Sequence, residues 1–251
     1  TDALLTTNDL WVVTDDRRRE LRWGLESFEQ TFGRPAKGLW LPETAVDEAS
    51  LEVCAAEGVE FVIVAAYQLD SIRDPETGRW LSGEAAGTLD GRAYRAELPS
   101  GASIKVVPYA PDLSAGISFG GWLNDGGALA QRLREAATTR GMALGATDGE
   151  TYGHHHRYGE MALAYALERL AADDEVEVVN LEQWLEREPP TWLCRLKAES
   201  SWSCAHGFGR WRSDCGCKIA PDRDWHQRWR APLREALDLL RDQGRAALAP
   251  L

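Results

Sequence analysis

Two acidic residues, each placed just after a short apolar run, are where this sequence has the means to do chemistry. Glu43 ends Gly38-Leu39-Trp40-Leu41-Pro42-Glu43, and Asp148 follows Met142-Ala143-Leu144-Gly145-Ala146-Thr147. Directly after Asp148 come Gly149-Glu150-Thr151-Tyr152-Gly153-His154-His155-His156, which gather a second carboxylate, a phenol and three imidazoles. Two carboxylates facing each other across a cleft suit glycosidic bond cleavage. One attacks or steadies the anomeric carbon while the other protonates the leaving oxygen. The structural alternative is that each is a helix-capping or surface acid, because Asp and Glu favour first helical turns.

A second cluster lies near the C-terminus. Cys204, His206, Cys215 and Cys217 form a C-x-H-x8-C-x-C pattern, four soft or borderline ligands within fourteen residues. That set suits a tetrahedral zinc ion, although the spacing is not that of a standard finger. Reduced thiols packed among tryptophans, or a redox-active Cys215/Cys217 pair, are the competing readings. A structural disulfide is disfavoured in a cytoplasmic chain. Cys54 sits on an apolar helical face and reads as a small buried hydrophobe, and Cys194 stands alone.

The elements that must position these groups alternate at first between helix and strand. A helix capped by Asp15 or Asp16 runs to about residue 31, a strand covers 37–41, a helix 46–57 and a buried β-branched strand 60–65. That α-β-α-β order calls for parallel strands joined by right-handed crossovers. From 70 to 121 the turn pairs Asp74-Pro75, Thr77-Gly78, Asp90-Gly91 and Ser100-Gly101 separate short alternating runs. They imply a β-hairpin insertion (92–98 with 103–107) followed by a loop over 108–121. Helices over 127–140, 157–172 and 181–188 and strands at 142–146 and 175–180 complete the pattern. If the strands at 37–41 and 142–146 share one parallel sheet, Glu43 and Asp148 emerge on the same rim. A charged amphipathic helix, 231–248, closes the chain.

Composition narrows the function classes. Of 251 residues, 40 are acidic and 28 basic, a formal net charge of −12, which argues against nucleic acid or anionic membrane as the main partner. No apolar run approaches the roughly 18–20 residues that span a bilayer. The opening Thr1-Asp2-Ala3-Leu4 lacks both an initiator Met and the basic-then-apolar order of a signal peptide. A soluble cytoplasmic protein is expected, read here as an excerpt of something longer. Eleven tryptophans outnumber both Tyr and Phe, a mild push toward a carbohydrate ligand because an indole face can stack on a sugar ring.

The pair Gly38-Leu39-Trp40-Leu41-Pro42-Glu43 and Asp148-Gly149-Glu150-Thr151-Tyr152-Gly153-His154-His155 resembles two motif regions of glycoside hydrolase family 57. The stretches 40–68 and 109–119 also resemble family members, and the likeness spans about residues 8–218. The Cys-rich tail 201–217 resembles a subgroup carrying an extra C-terminal domain of unknown function. The resemblance implies an incomplete (β/α)7 TIM-like barrel and a retaining mechanism on α-glucans, by hydrolysis or transglycosylation. It assigns Glu43 as nucleophile and Asp148 as general acid/base, and it requires no cofactor for catalysis. The family's His-containing first strand, of the His-Gln-Pro type, has no counterpart, since His first appears at position 154; that strand is expected upstream of Thr1.

Neighbouring residues take parts in substrate binding on this reading. Trp40 and Trp202 would stack on glucose rings, Tyr152 and His154 would hydrogen-bond the substrate, and Glu150 would share Asp148's side of an extended segment. The expected division is a barrel-type catalytic domain over 1–188 and an irregular Cys/Trp-rich segment with its helix over 189–251. Two other readings stay open. In one, Asp148, His154 and His156 hold a divalent ion in a deacetylase- or mannosidase-like hydrolase. In the other, the chain is a non-catalytic carbohydrate-binding module.

Overall fold

A computed structural model describes residues 14–83, 89–218 and 220–248, with the side chains of 14, 15 and 248 not described. The expected strand upstream of Thr1 and the opening residues 1–4 lie outside these residues. The contacts divide the chain into two compact units, one of residues up to 36, 40–58 and from 197 on, the other of 37–39 and 59–196. No helix among the described residues is long and apolar enough to cross a membrane.

The first unit opens with α1 (Thr14–Phe32), whose Leu21 is buried. Helix α2 (Glu48–Ala56) starts where the sequence places a capping acid. Asp47 accepts from the Ser50 backbone N–H at 2.7 Å and from Arg17 at 3.1 Å. The segment between Trp40 and α2 pairs with the distant C-terminal stretch. Val46 and Ser200 exchange backbone hydrogen bonds of 2.9 and 3.0 Å.

In the second unit, apart from Trp40 at the end of the first strand, the described residues form a seven-stranded sheet. Its strands are β1 (Gly38–Trp40), β2 (Phe61–Ala65), β3 (Leu69–Arg73), β4 (Trp80–Ser82), β5 (Tyr94–Glu97), β6 (Ser103–Tyr109) and β7 (Leu193–Leu196). Their spatial order is β1-β2-β6-β5-β7-β3-β4. Strand β1 can lie against β2 because residue 38 is glycine; a Cβ there would meet the Phe61 ring at 2.1 Å.

The sheet is mixed, holding both parallel pairs and hairpins. Strand β2 pairs in parallel with β6, and β5 in parallel with β7, but β5–β6, β3–β4 and β3–β7 are antiparallel. The short links within the β3–β4 and β5–β6 hairpins dictate their pairing, since a tight turn can only return the chain antiparallel. The hairpin expected from 92–98 and 103–107 is present as β5–β6. It occupies the middle of the sheet, with β6 Val106 and Val107 fully buried.

Further expectations change. The expected loop over 108–121 contains α3 (Pro111–Ser118), begun by a proline at its first turn and burying Leu113 and Ile117. Eight residues with a Gly and two Ser show too little rhythm to be read as helix. The stretch 142–146 forms no ladder strand. Its backbone is satisfied by other means: the Leu144 carbonyl accepts from Ala110 N–H at 2.8 Å, and Ala146 N–H donates to the Ser114 hydroxyl at 2.9 Å. The apolar run 175–180 is likewise not a strand. Beyond Pro190 the sheet continues in β7, a strand the Trp- and Cys-dense composition had hidden.

Helices α4 (Gly126–Arg140), α5 (Gly159–Ala171) and α6 (Leu181–Arg187) appear where expected, with Asp125 and Asn180 as side-chain caps of α4 and α6. Leu129 on α4 and Ala166 on α5 pack into one cluster with Ile117 and Leu123. A short helix α7 (Gly209–Arg212) and the long α8 (Arg230–Leu248) belong to the first unit.

Candidate active site

Within the first unit, Glu43 sits just beyond β1, in a 3-10 turn over Pro42–Thr44. Its backbone is left-handed, with φ +57° and ψ +20°, and Thr44 follows at φ +47°. Two consecutive non-glycine residues in this region, one of them β-branched, store strain of about 1–3 kcal/mol each. Surrounding contacts hold the turn there. Thr44 N–H donates to Leu41 O, Ala45 N–H to Pro42 O, and Trp202 N–H to Glu43 O at 3.0 Å.

The strained turn aims the Glu43 carboxylate at a fixed pair of donors. The Trp202 indole N–H donates to Oε2 at 2.9 Å, and the Ser203 hydroxyl donates to the same oxygen. Oε1 receives no hydrogen bond among the described residues. Trp40 meets Trp202 edge-to-face, with ring centroids 5.3 Å apart at 81°. So the structure brings Trp40, Glu43 and Trp202 together, and adds Ser203, which the sequence reading missed. Nothing in Ser201-Trp202-Ser203-Cys204 distinguishes that serine from its neighbours, because its partner lies 160 residues away.

In the second unit, Asp148 precedes a 3-10 turn over Gly149–Thr151 and its side chain is exposed. Here the extended-segment expectation for Glu150 fails. The turn breaks the alternation, and Glu150 instead pairs with His155 Nε2 at 3.2 Å. The Tyr152 hydroxyl is hydrogen-bonded to Thr147 Oγ1 at 2.9 Å. The His154 ring is exposed and packs against His155, centroids 5.0 Å apart. His156 Nε2 bonds the Ser118 carbonyl at 2.8 Å. Backbone bonds from His155 N–H to Glu150 O and from His156 N–H to Thr151 O close the loop on itself. Among the described residues, Asp148, His154 and His156 do not gather as a metal-binding group.

The group that does gather is the other one. The ligand atoms of Cys204, His206, Cys215 and Cys217 all lie within 4.8 Å of one another, with Cys204 buried, Cys215 and Cys217 half-buried and His206 exposed. Burial would push the Cys215 thiol up, but the Cys217 N–H, the neighbouring sulfurs and Arg230 outweigh it and hold Cys215 below its usual range. Burial and the adjacent sulfurs move Cys217 the other way. The remaining cysteines differ in kind. Burial pushes the Cys54 thiol up to about 12, with the Asp47 charge adding to it, and burial alone does the same for Cys194. Separately, an apolar cavity of about 360 Å³ in the second unit, lined by Leu133, Met142, Leu170, Val178 and Trp184 among others, contains none of the predicted site residues.

The model of the family described as glycosyl hydrolase family 57 matches residues 4–197. A 4-alpha-glucanotransferase from Thermococcus litoralis shares the fold at TM-score 0.58 and 17% identity, over 93% of this chain and 31% of that one. A family 57 branching enzyme from Thermococcus kodakaraensis, solved with glucose, does so at TM-score 0.58 and 18% identity, over 86% and 49%. For an α-amylase from Thermotoga maritima the values are 0.55 and 13%, over 77% and 48%. The chain thus spans a third to a half of the length of these structures. No curated protein matches the sequence.

Proposed function

The chain belongs to glycosyl hydrolase family 57, and on that premise we propose that it acts on α-glucans by a retaining mechanism, with Glu43 as nucleophile and Asp148 as general acid/base. The observation that carries the reading is the state of Glu43. A strained backbone and two donors on Oε2 orient a half-buried carboxylate, while Oε1 stays free of protein donors among the described residues. A purely structural glutamate gains nothing from a left-handed backbone, whereas a nucleophile needs one oxygen fixed and the other available.

Catalysis on this reading proceeds in two displacements. Glu43 Oε1 attacks the anomeric carbon as the glycosidic C–O bond breaks, and Asp148 gives its proton to the leaving oxygen. The glycosyl group is then an ester of Glu43. Asp148, now a carboxylate, takes a proton from water or from an acceptor sugar hydroxyl. That oxygen attacks the same carbon and frees Glu43, with net retention. Trp40 and Trp202 supply aromatic surface beside the nucleophile. His154, exposed and without a side-chain hydrogen bond among the described residues, is available to a sugar hydroxyl. Glu150 and Tyr152, engaged with His155 and Thr147, shape the loop that carries Asp148.

The test is trapping. A fluorinated α-glucosyl fluoride slows the second displacement, so the ester accumulates and peptide mass spectrometry locates it. Labelling of Glu43, lost in Glu43→Gln, is expected. Asp148→Asn should still be labelled by this activated substrate while turning over unactivated glucan about 10²–10⁴-fold more slowly. A label on any other carboxylate overturns the assignment.

A further inference from the structure

We propose that Cys204, His206, Cys215 and Cys217 form a structural zinc site, and that the ion anchors the loop which holds the Glu43 carboxylate. Cys204 Sγ lies 3.9 Å from Cys215 Sγ and 3.8 Å from Cys217 Sγ, and Cys217 Sγ lies 3.4 Å from His206 Nδ1. A tetrahedron with Zn–S of about 2.3 Å and Zn–N of about 2.0–2.1 Å has S···S edges of about 3.8 Å and S···N edges of about 3.5 Å. The three separations match those edges. A disulfide would require about 2.05 Å between sulfurs.

The surroundings fit the same purpose. A Cβ at Gly209 would come within 3.1 Å of the Cys215 Cβ and 3.2 Å of the His206 Cβ, so glycine lets the two ligands approach across that turn. The buried Gln227 side chain donates through Nε2 to the Cys217 carbonyl, while its backbone N–H is held by Asp214 at 2.9 Å. Outer contacts of this kind fix ligand orientation in metal sites. Binding would release one proton from each of the three thiols and take His206 as a neutral imidazole through Nδ1, giving a centre of three thiolates and one imidazole with net charge −1.

The consequence reaches Glu43 through two adjacent residues. Ser203 and Trp202, the donors to Glu43 Oε2, directly precede the ligand Cys204. The paired Val46 and Ser200 and the bond from Trp202 N–H to Glu43 O tie the same stretch to the nucleophile's turn. An ion closing the 204–217 loop therefore holds the clamp in place. Metal binding at this cluster is independent of the proposed reaction and can be read without activity.

The chain purified under reducing conditions with Zn²⁺ should hold about one ion, measured by elemental analysis. Co²⁺ taken up in its place should show thiolate-to-cobalt charge transfer and the intense visible bands of tetrahedral geometry. Cys215→Ser should lose stoichiometric metal. His206→Cys should keep it as an all-thiolate site, which guards against a variant that merely misfolds. After chelation, amide exchange at Val46, Ser200 and Trp202 should accelerate. Absence of bound zinc and of the cobalt spectrum overturns the site, as does a non-reduced mass two hydrogens lighter, which reports a disulfide. Unchanged exchange in metal-stripped protein overturns the anchoring.

Discussion

If the Glu43 backbone is strained in the native state, replacing the residue by glycine and by alanine must give an inverted order of stability. Both substitutions remove the carboxylate and its bonds to Trp202 and Ser203, so the lost contacts cancel in the comparison. What remains is the backbone at φ +57°, ψ +20°. A left-handed conformation costs an alanine about 1–2 kcal/mol that glycine escapes. Against this, glycine has the freer unfolded chain, a penalty of about 0.4–1 kcal/mol. The difference leaves Glu43→Gly more stable than Glu43→Ala by about 1 kcal/mol, or about 2–4 °C in Tm for a chain of this size. Urea unfolding of the two variants at equal m-value measures it. Glu150 serves as the control position, since its φ is not positive and the usual order, alanine above glycine, should hold there. Equal stability at position 43, or alanine ahead, would refute the claim that strain is stored at Glu43.

Three more outcomes follow from other contacts. Ser203→Ala removes one donor from a charged acceptor, so the chain should lose about 1.5 kcal/mol of unfolding stability and kcat/KM on glucan should fall about tenfold; unaffected stability and rate contradict the clamp. Cys54 and Cys194, buried with thiols pushed up to about 12, should resist alkylation in the folded chain at about pH 8, while the metal-stripped cluster is labelled; early modification of either buried thiol contradicts this. Arg140 donates to both oxygens of Asp112, at 2.9 and 2.6 Å, and to Asp90 at 2.6 Å, and its hydrogen bonds hold the Asp112 carboxyl below its ordinary value. A depressed carboxyl contributes stability above its unfolded pKa and loses it as pH falls through the folded one. Arg140→Ala should therefore cost about 1 kcal/mol near neutrality, and the gap should narrow in acid; a gap that widens refutes the sign.

The parts of this protein that were legible in sequence are those governed by local chemistry. The helices expected over 46–57, 127–140 and 181–188 are found as α2, α4 and α6, and the structure adds what starts them: Asp47, Asp125 and Asn180 each accept from the backbone of their own helix within three residues. The Cys/His spacing likewise marked a cluster that folds within fourteen residues. Strands were harder, because an extended run becomes a strand only if a neighbour pairs with it. Residues 142–146 have the apolar content of a strand, yet their backbone bonds go to Ala110 and to the Ser114 side chain. Leu193–Leu196 has no distinctive pattern and still pairs with both β3 and β5. At the candidate site, the motif singles out Glu43, but neither its left-handed backbone nor its Ser203 partner has a local cause.

That separation bears on how the site of the proposed nucleophile is built. Its two donors lie 159 and 160 residues along the chain, so the clamp is a strongly non-local contact within the first unit. Closing so long a loop costs conformational entropy that a pair of hydrogen bonds, each worth about 1.5–3 kcal/mol to a charged group, recovers only in part. The strained turn adds to the cost. An isolated 201–203 segment would therefore hold Glu43 poorly. A 204–217 loop closed locally by four ligands would lower that cost before docking, because Trp202 and Ser203 would arrive already ordered. On this view the Cys-rich segment is what makes the strained position of Glu43 sustainable, and its metal and the proposed nucleophile should be lost or kept together.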